Sequence, residues 1–263
     1  MPIFIFISNY HYIVRKFMEV DLSENLDKTA MVVTAHPDDA EWGCSASVAK
    51  WTRLGWEVVY VLCTDGSKGT EDRSITSKEL ANIREKEQRD AGKILGLKAI
   101  EFLGYPDGYL EPSLDVRRDI SREIRKHKPS VLITTNPNRD LLNSSYLGHP
   151  DHFAAGEAAL SAVFPSARDH LTFPELLDEG LEPHKVRQVW VNMFNMDSGN
   201  NKNWFFNPIE KVDLDTAIKA LQAHTSQIPD PERAREYMTK RREDLGKICN
   251  VSYAEAFAKF ELN

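Results

Sequence analysis

The chain has 263 residues, of which 41% are hydrophobic and 10% aromatic, so it can bury one substantial core. This composition excludes an intrinsically disordered protein. The formal net charge of −7 at pH 7 gives little attraction for the phosphate backbone of a nucleic acid or for an anionic membrane surface, so we expect neither partner.

The ends of the chain and its cysteines indicate the compartment and the domain limits. Three cysteines are few, odd in number and far apart, which favours a reducing compartment, and we predict a cytoplasmic protein. The most apolar stretch, residues 2–8, is far shorter than the roughly 20 residues that cross a bilayer, so no membrane span is predicted. We interpret residues 1–27 as an N-terminal extension, either an added edge strand or an upstream start, and residues 28–263 as a single domain.

Strand and helix patterns alternate along the chain. Apolar runs predict strands at residues 30–35, 57–64, 99–103, 130–134 and 187–194, and amphipathic patterns predict helices at residues 43–54, 78–95, 116–126, 153–163, 214–227 and 231–248. Such alternation is typical of parallel βαβ units. We therefore predict an α/β fold, a Rossmann-like three-layer sandwich with a mostly parallel sheet and a site at the carboxyl ends of its strands.

The first motif whose side chains could bind a metal ion or take part in catalysis is HPDDAE at residues 36–41, directly after the first predicted strand. Pro37 prevents a smooth helical continuation and fixes a tight geometry in which His36 and Asp39 converge while Asp38 points elsewhere. The N-terminus of the following helix favours ionised carboxylates. The motif therefore lies where an open α/β sheet binds its ligands.

The second motif is GHPDH at residues 148–152, which follows the strand predicted at 130–134 and opens a helix. Three of the eight histidines lie in these two motifs. His36, Asp39 and His152 form a nitrogen and oxygen donor set suited to a catalytic zinc ion, which keeps three protein ligands and a water molecule. Asp38 and His149 then remain free for proton transfer.

The two motifs also carry a family resemblance. AHPDDAE (35–41) and GHPDH (148–152), at this separation in an α/β chain of this length, resemble the LmbE-like, or PIG-L, family of zinc-dependent N-acetylglucosaminyl deacetylases. Further matches are IREKEQRDAGKILG (83–96), LGYPDGYL (103–110), HTSQ (224–227) and YAEAF (253–257). The resemblance covers nearly everything after Met18, and the diacetylchitobiose deacetylases are similar in length and in the YPDG loop.

The resemblance implies roles for individual residues. It makes His36, Asp39 and His152 the ligands of Zn²⁺, Asp38 the general base, and His149 the group that faces the developing oxyanion. These are the same residues that the spacing of the motifs selects.

Three further site residues are predicted with less support from the spacing. The resemblance implies that Arg84 and Asp107 bind sugar hydroxyls. Each has a structural alternative, because Arg84 lies on a glutamate-rich helix and Pro-Asp-Gly is an ordinary turn. Asp151, two residues after His149, is predicted to orient the His149 imidazole or to keep it charged.

The expected function is removal of the N-acetyl group from a small amino-sugar substrate that contains N-acetylglucosamine, with release of acetate and a free amine. The resemblance alone also implies a homo-oligomer. Two alternatives stay open, a metal-dependent amidase acting on a non-sugar acyl amide and a non-catalytic sugar- or zinc-binding protein. A binding protein would not need Asp38 and His149. The stretch at 197–208 is interpreted as a lid that places Trp204 or Phe205 over the sugar, or as an ordinary surface turn.

Overall fold

The computed structural model describes residues 26–139, 147–192 and 204–262. Most of the predicted N-terminal extension therefore lies outside the described residues. The strands are β1 (Thr29–Thr34), β2 (Glu57–Thr64), β3 (Ala99–Tyr105), β4 (Val131–Thr135), β5 (Gln188–Asn192), β6 (Trp204–Ile209) and β7 (Tyr253–Glu261).

These strands form one sheet in the order β3-β2-β1-β4-β5-β7-β6. The pairs β1–β2, β2–β3, β1–β4 and β4–β5 are parallel, whereas β7 pairs antiparallel with both β5 and β6. The chain moves outward from β1 to β3 and then crosses to β4 on the other side of β1. The predicted α/β fold with a mostly parallel sheet is confirmed.

Helices cover both faces of the sheet. They are α1 (Asp39–Gly43), α2 (Ser45–Arg53), α3 (Ser77–Leu95), α4 (Leu114–His127), α5 (Pro150–Ser161), α6 (Glu175–Asp178), α7 (Lys211–Gln222) and α8 (Pro231–Cys249). A π-helical turn, Ala162–Ser166, follows α5. None of the helices in the described ranges is both long and apolar enough to cross a membrane.

The core lies on the two sides of the sheet because the central strands are buried on both faces, as parallel strands usually are. Met31 and Val33 of β1 point into a cluster that α4 and α5 complete, while Ala30 and Val32 point into a second cluster with α2 and α3. This alternation of side chains fixes the register of β1, since a one-residue slip would exchange the two faces.

The C-terminal part of the chain is tied to the start of α2 by the buried carboxylate of Glu255, which also forms an ion pair within the C-terminal part. Arg242 of α8 donates to Glu255 of β7, with Nη2 2.8 Å from Oε1. The Glu255 carboxylate also accepts hydrogen bonds from the backbone N–H groups of Ala46 and Ser47, at 3.3 and 2.8 Å. Glu255 therefore satisfies two of the N–H groups that the first turn of α2 leaves without intrahelical acceptors.

Two antiparallel strands were not predicted. The stretch at 197–208 was interpreted as a lid or a surface turn, but Trp204–Ile209 is strand β6, and residues 197–203 lie outside the described residues. Phe205 is buried in the cluster beneath α2 and α3, so it does not cover a substrate. The YAEAF segment forms the start of β7, where it pairs with β6 and β5.

Candidate functional site

The two motifs meet at the carboxyl ends of β1 and β4. These strands are neighbours in the sheet, and the connections that leave them run to opposite sides, toward β2 and toward β5. A crevice forms at such a switch in strand order, and it is the usual ligand site of an open α/β sheet. His36 follows β1 by two residues, and His149 and His152 lie at the start of α5.

The first motif forms a tight turn between β1 and α1. The backbone N–H of His36 donates to Asp39 Oδ2 at 2.8 Å, and the carbonyl of Asp38 accepts from the N–H of Trp42 at 3.0 Å. Asp38 itself has φ 92° and ψ −21°, in the left-handed region. A non-glycine residue in this conformation costs roughly 1–3 kcal/mol, and it persists only where the surroundings fix it.

The second motif caps helix α5. His149 occupies the N-cap position, where its Nδ1 accepts a hydrogen bond from the N–H of Asp151 at 3.3 Å. Pro150 is the first helical residue, a position that suits proline because it needs no N–H there. Thr135, the last residue of β4, donates its hydroxyl to the carbonyl of His152 at 2.7 Å. Strand and helix are thus joined at the level of the site.

The three predicted metal ligands lie together. Asp39 Oδ1 is 3.1 Å from His152 Nε2, and Asp39 Oδ2 is 3.4 Å from His36 Nδ1. All three ligand atoms lie within 4.8 Å of one another. A tetrahedral zinc ion with bonds of about 2.0–2.2 Å needs ligand atoms roughly 3.3 Å apart, so these separations fit a metal ion.

The charges around the three residues also favour a cation. Burial opposes ionisation of Asp39, but His152 and His36 hold the pKa of its carboxyl well below the usual value. Burial likewise opposes protonation of His36, yet hydrogen bonds to Asp107, Asp151 and Asp39 raise the pKa of this histidine to about 12. The surroundings therefore strongly attract positive charge, which is a property expected of a metal site.

The second nitrogen of His36 faces two more carboxylates. Its Nε2 is 3.1 Å from Asp107 Oδ1 and 3.3 Å from Asp151 Oδ2. Asp151 is fixed in turn by the backbone N–H groups of Gly108 and Leu110, at 2.7 and 3.3 Å. Carboxylates in this position orient a metal-binding histidine and increase its basicity.

This arrangement differs from the predicted pairing of Asp151 with His149. The Asp151 carboxylate lies 3.9 Å from His149 Nδ1, too far for a hydrogen bond, because it points toward His36 instead. The Nδ1 of His149 accepts from a backbone N–H, so a neutral imidazole carries its proton on Nε2. Burial and the neighbouring His36 lower the pKa of His149, which favours this neutral form.

The predicted sugar-binding residues are both buried and have protein partners. The carboxylate of Asp107 accepts from the N–H of Lys68 at 2.9 Å in addition to facing His36. The guanidinium of Arg84 donates to the carbonyls of Pro37 and Gly66, at 2.5 and 2.8 Å. Each residue is only 4% exposed, and sugar binding by these two residues stays a prediction.

Arg84 also contacts the predicted base. Its Nη2 lies 3.4 Å from Asp38 Oδ2. Burial raises the pKa of Asp38 to about 7, although the Arg84 guanidinium acts in the opposite direction. A carboxylate with a pKa near neutrality is well matched to general-base catalysis.

Two buried polar residues near Asp38, Gln88 and Glu41, were not predicted to have a role in the site. The side-chain oxygen of Gln88 accepts from the N–H of Asp38 at 3.1 Å, and its nitrogen donates to Glu41 Oε1 at 3.0 Å. Gln88 lies four residues after Arg84 on α3, so the two side chains share one helix face. That spacing was the only signal in the sequence for Gln88.

The loop after β2 borders the site, as its position in the sequence suggests. Asp65 Oδ1 accepts from the N–H groups of Ser67 and Asp107, at 3.0 and 3.2 Å. Gly66 has φ +63°, and a Cβ atom at this residue would lie 2.9 Å from both Arg84 Nη1 and Pro37 Cδ. Glycine is therefore required where this loop approaches the first motif.

Comparisons with known proteins agree with this geometry. Residues 31–163 match the profile of the PIG-L family, described as GlcNAc-PI de-N-acetylase. A diacetylchitobiose deacetylase of Thermococcus kodakarensis is 32% identical over 230 residues, which cover 87% of this chain and 81% of that protein. A probable N-acetyl-alpha-D-glucosaminyl L-malate deacetylase 2 of Bacillus anthracis is 30% identical over 220 residues, covering 80% of this chain and 87% of that protein.

A solved structure has the same fold as the described part of this chain. The N,N'-diacetylchitobiose deacetylase of Pyrococcus horikoshii, in complex with its inhibitor MPG, superposes with a TM-score of 0.79 at 29% identity. The match covers 97% of this chain and 93% of that chain.

Proposed function

Because the chain belongs to the PIG-L family, we propose that it is a hydrolytic N-deacetylase that releases acetate and a free amine from a small molecule containing N-acetylglucosamine. The observation that carries the proposal is the meeting of His36, Asp39 and His152 beside an unligated Asp38. The named relatives act on diacetylchitobiose or on a GlcNAc-malate conjugate, which supports an amino-sugar substrate for this chain.

We propose zinc as the metal and His36, Asp39 and His152 as its ligands. The donor set of two imidazoles and one carboxylate, with ligand atoms 3.1 and 3.4 Å apart, supports this choice. Held by these three residues, a zinc ion would supply Lewis acidity toward the acetamide carbonyl and toward a water molecule. Asp107 and Asp151 hold the ring of His36 in position for the metal.

The proton is moved by residues that do not bind the metal. Asp38 accepts the proton of the attacking water molecule, a role that fits its position next to Asp39 and its pKa of about 7. The side chain of His149 is 38% exposed, and its ring centroid lies 4.7 Å from that of His36, so it faces the space that a substrate would enter. Its Nε2–H donates a hydrogen bond to the oxyanion that develops on the substrate. The C–N bond then breaks as the leaving nitrogen takes up a proton from Asp38 or His149, which releases acetate and the free amine.

The remaining features of the chain support three further proposals. Cys44, Cys63 and Cys249 are all buried and free, which supports a reducing compartment such as the cytoplasm. The sheet joins strands from residue 29 to residue 261, which supports one domain over residues 28–263. A homo-oligomer is proposed from the family resemblance alone.

The proposed function is tested by measuring released acetate from N-acetylglucosamine, diacetylchitobiose, GlcNAc glycosides of inositol and malate, and a simple acetamide without a sugar. Asp38→Asn leaves the three ligands in place, so metal content should be unchanged while turnover falls by about 10²–10⁴-fold. Asp90→Asn, which lies in exposed ion pairs on α3, is the matched control and should retain full activity.

Two outcomes would contradict the proposal. The deacetylase assignment fails if the metal-loaded protein releases acetate from none of the sugars, or releases it equally well from the simple acetamide. The role of Asp38 fails if the Asn variant keeps more than a tenth of the wild-type rate with its metal bound.

A further inference from the structure

The peptide group between Pro37 and Asp38 is held at both ends by side chains of helix α3. Arg84 Nη2 donates to the carbonyl oxygen of Pro37 at 2.5 Å, and the N–H of Asp38 donates to Gln88 Oε1 at 3.1 Å. The carbonyl and the N–H of a trans peptide point in opposite directions, so the two side chains form hydrogen bonds to opposite sides of the same peptide group. Arg84 and Gln88 do this from adjacent turns of a single helix.

These two hydrogen bonds restrict the φ angle of Asp38. The plane of the Pro37–Asp38 peptide is one of the two that define φ of Asp38, which is 92°. The following peptide is fixed as well, because the carbonyl of Asp38 accepts the first hydrogen bond of α1 from Trp42 N–H. With both flanking peptides held, the backbone fixes the direction of the Cα–Cβ bond of Asp38.

An amide side chain fits the place of Gln88 because it accepts one hydrogen bond and donates another. Its oxygen must accept from the Asp38 N–H, and its nitrogen must donate to Glu41 Oε1, 3.0 Å away. Gln88 and Glu41 are both fully buried, so water does not replace either partner. Glu41 is itself flanked by the buried His224, whose Nε2 lies 3.4 Å from Glu41 Oε2.

We infer that Gln88 is a positioning residue for the base of the reaction, that Glu41 sets the orientation of its amide, and that Arg84 holds the opposite edge of the same peptide. The inference rests on the proposed role of Asp38 as the base. It assigns Arg84 a structural role in the site, the hydrogen bond to the Pro37 carbonyl, that requires no contact with a sugar. It also explains how the unfavourable backbone conformation of Asp38 is maintained.

The first experiment is Gln88→Met, which keeps the length of the side chain and removes both hydrogen bonds. We expect kcat to fall by about tenfold to a hundredfold, because small displacements of a catalytic group have effects of this size. KM for the best substrate should stay within about threefold, and zinc content should stay unchanged. The matched control is Gln222→Met on α7, whose amide donates to the carbonyl of Pro231 away from the site.

The second experiment does not depend on activity. Hydrogen exchange of the Asp38 amide, followed by NMR in the zinc-loaded protein, should be at least tenfold faster in Gln88→Met than in wild type, whereas in Gln222→Met it should be unchanged. Equal protection in wild type and Gln88→Met overturns the inference, even if no substrate is turned over. If wild type does not deacetylate any substrate but exchange is faster in Gln88→Met, the proposed function is overturned. The role of Gln88 in holding the Pro37–Asp38 peptide then stays supported.

A pair of substitutions at Glu41 covers the case in which Gln88→Met does not fold. Glu41→Gln keeps an oxygen acceptor for Gln88 Nε2, whereas Glu41→Ala removes it. We expect Glu41→Gln to retain a kcat at least tenfold higher than Glu41→Ala, with similar KM values. Equal kcat values for the two folded variants, a loss of zinc in Gln88→Met, or a rise in KM that accounts for the whole effect would each overturn the inference.

Discussion

Within the part of the chain that the structure describes, groups of three or more histidines and carboxylates lie close enough together to hold one metal ion at two places. One is the crevice between β1 and β4, and the other is a partly buried group between β3 and α4, which we call the surface group. In the crevice, Asp39 lies between His36 and His152, and at the surface His127 Nε2 lies 3.0 Å from Glu101 Oε1 and 3.4 Å from Glu123 Oε2. At both places the ligand atoms lie within 4.8 Å of one another. By spacing alone, either group could hold a metal ion.

The two groups differ in their cationic neighbours. Lys126 places its ammonium 2.8 Å from Glu101 and 3.1 Å from Glu123, so the surface carboxylates already have a positive partner. In the crevice, the ion-pair partners of Asp39, Asp107 and Asp151 within the described ranges are histidines. Residue types and distances therefore do not separate the two groups, whereas the lysine that forms ion pairs with the carboxylates of the surface group does.

The largest effect is expected from removing a crevice histidine. His152→Ala should reduce bound zinc from about one per chain to nearly none and lower turnover by about a thousandfold or more, because the Lewis acid contributes several kcal/mol of transition-state stabilisation. His127→Ala is the matched change at the surface group and should leave both quantities unchanged. Metal analysis and acetate release measure them, and full zinc in His152→Ala would contradict the ligand assignment.

A smaller effect is expected when the surface group loses its cation. Lys126→Met leaves the carboxylates of Glu101 and Glu123 without the ammonium that forms ion pairs with them. We expect binding of a second zinc ion to become about tenfold tighter, since removing one nearby positive charge at a protein surface is worth roughly 1–2 kcal/mol. Titration calorimetry of the zinc-loaded protein measures this second site. No gain in affinity would show that compensation by Lys126 is not what separates the two groups.

The smallest effect concerns acid stability at the surface group. Burial opposes ionisation of Glu101, but hydrogen bonds from Lys126 and His127 lower the pKa of its carboxyl below the ordinary value of 4.5. A carboxylate whose pKa is lowered by folding contributes stability above its unfolded pKa, and this contribution is lost as the pH falls through the folded pKa.

We therefore expect Glu101→Gln to unfold about 0.5 kcal/mol more easily than wild type at pH 7. The difference should shrink as the pH falls below 4.5. Urea unfolding at pH 7 and at pH 4 measures both values, with Glu157→Gln as a control on α5. A difference that grows toward low pH would contradict the assigned direction.

The parallel part of the sheet could be predicted from the sequence because its strands are continuous apolar runs between helical patterns. Glu57–Thr64 coincides with the predicted strand, and the rule that ligands bind at carboxyl ends of strands brings His36 and His152 to one crevice. Strand β6 could not be predicted in this way. Phe205 pairs with Phe257, some fifty residues later, so its partner is supplied by tertiary structure.

The surroundings of the site residues were harder to predict than their meeting. The carboxylate of Asp151 could face either of two histidines, and its choice of His36 depends on the loop that carries Gly108 and Leu110. The contact of Gln88 with the Asp38 N–H depends on how α3 packs against the first motif. Such contacts follow from the docking of whole elements and leave no periodic pattern in the sequence.

The ion pair between Arg242 and Glu255 has a consequence for the order of events during synthesis. The ribosome makes both histidine motifs well before Glu255, which caps the start of α2 and lies about a hundred residues after the second motif. Arg242 also donates to the carbonyl of Trp42 in α1, directly after the first motif. A nascent chain that already carries every proposed zinc ligand therefore still lacks the residues that bind the end of α1 and the start of α2. A product truncated before Glu255 would leave the N–H groups of Ala46 and Ser47 without this acceptor.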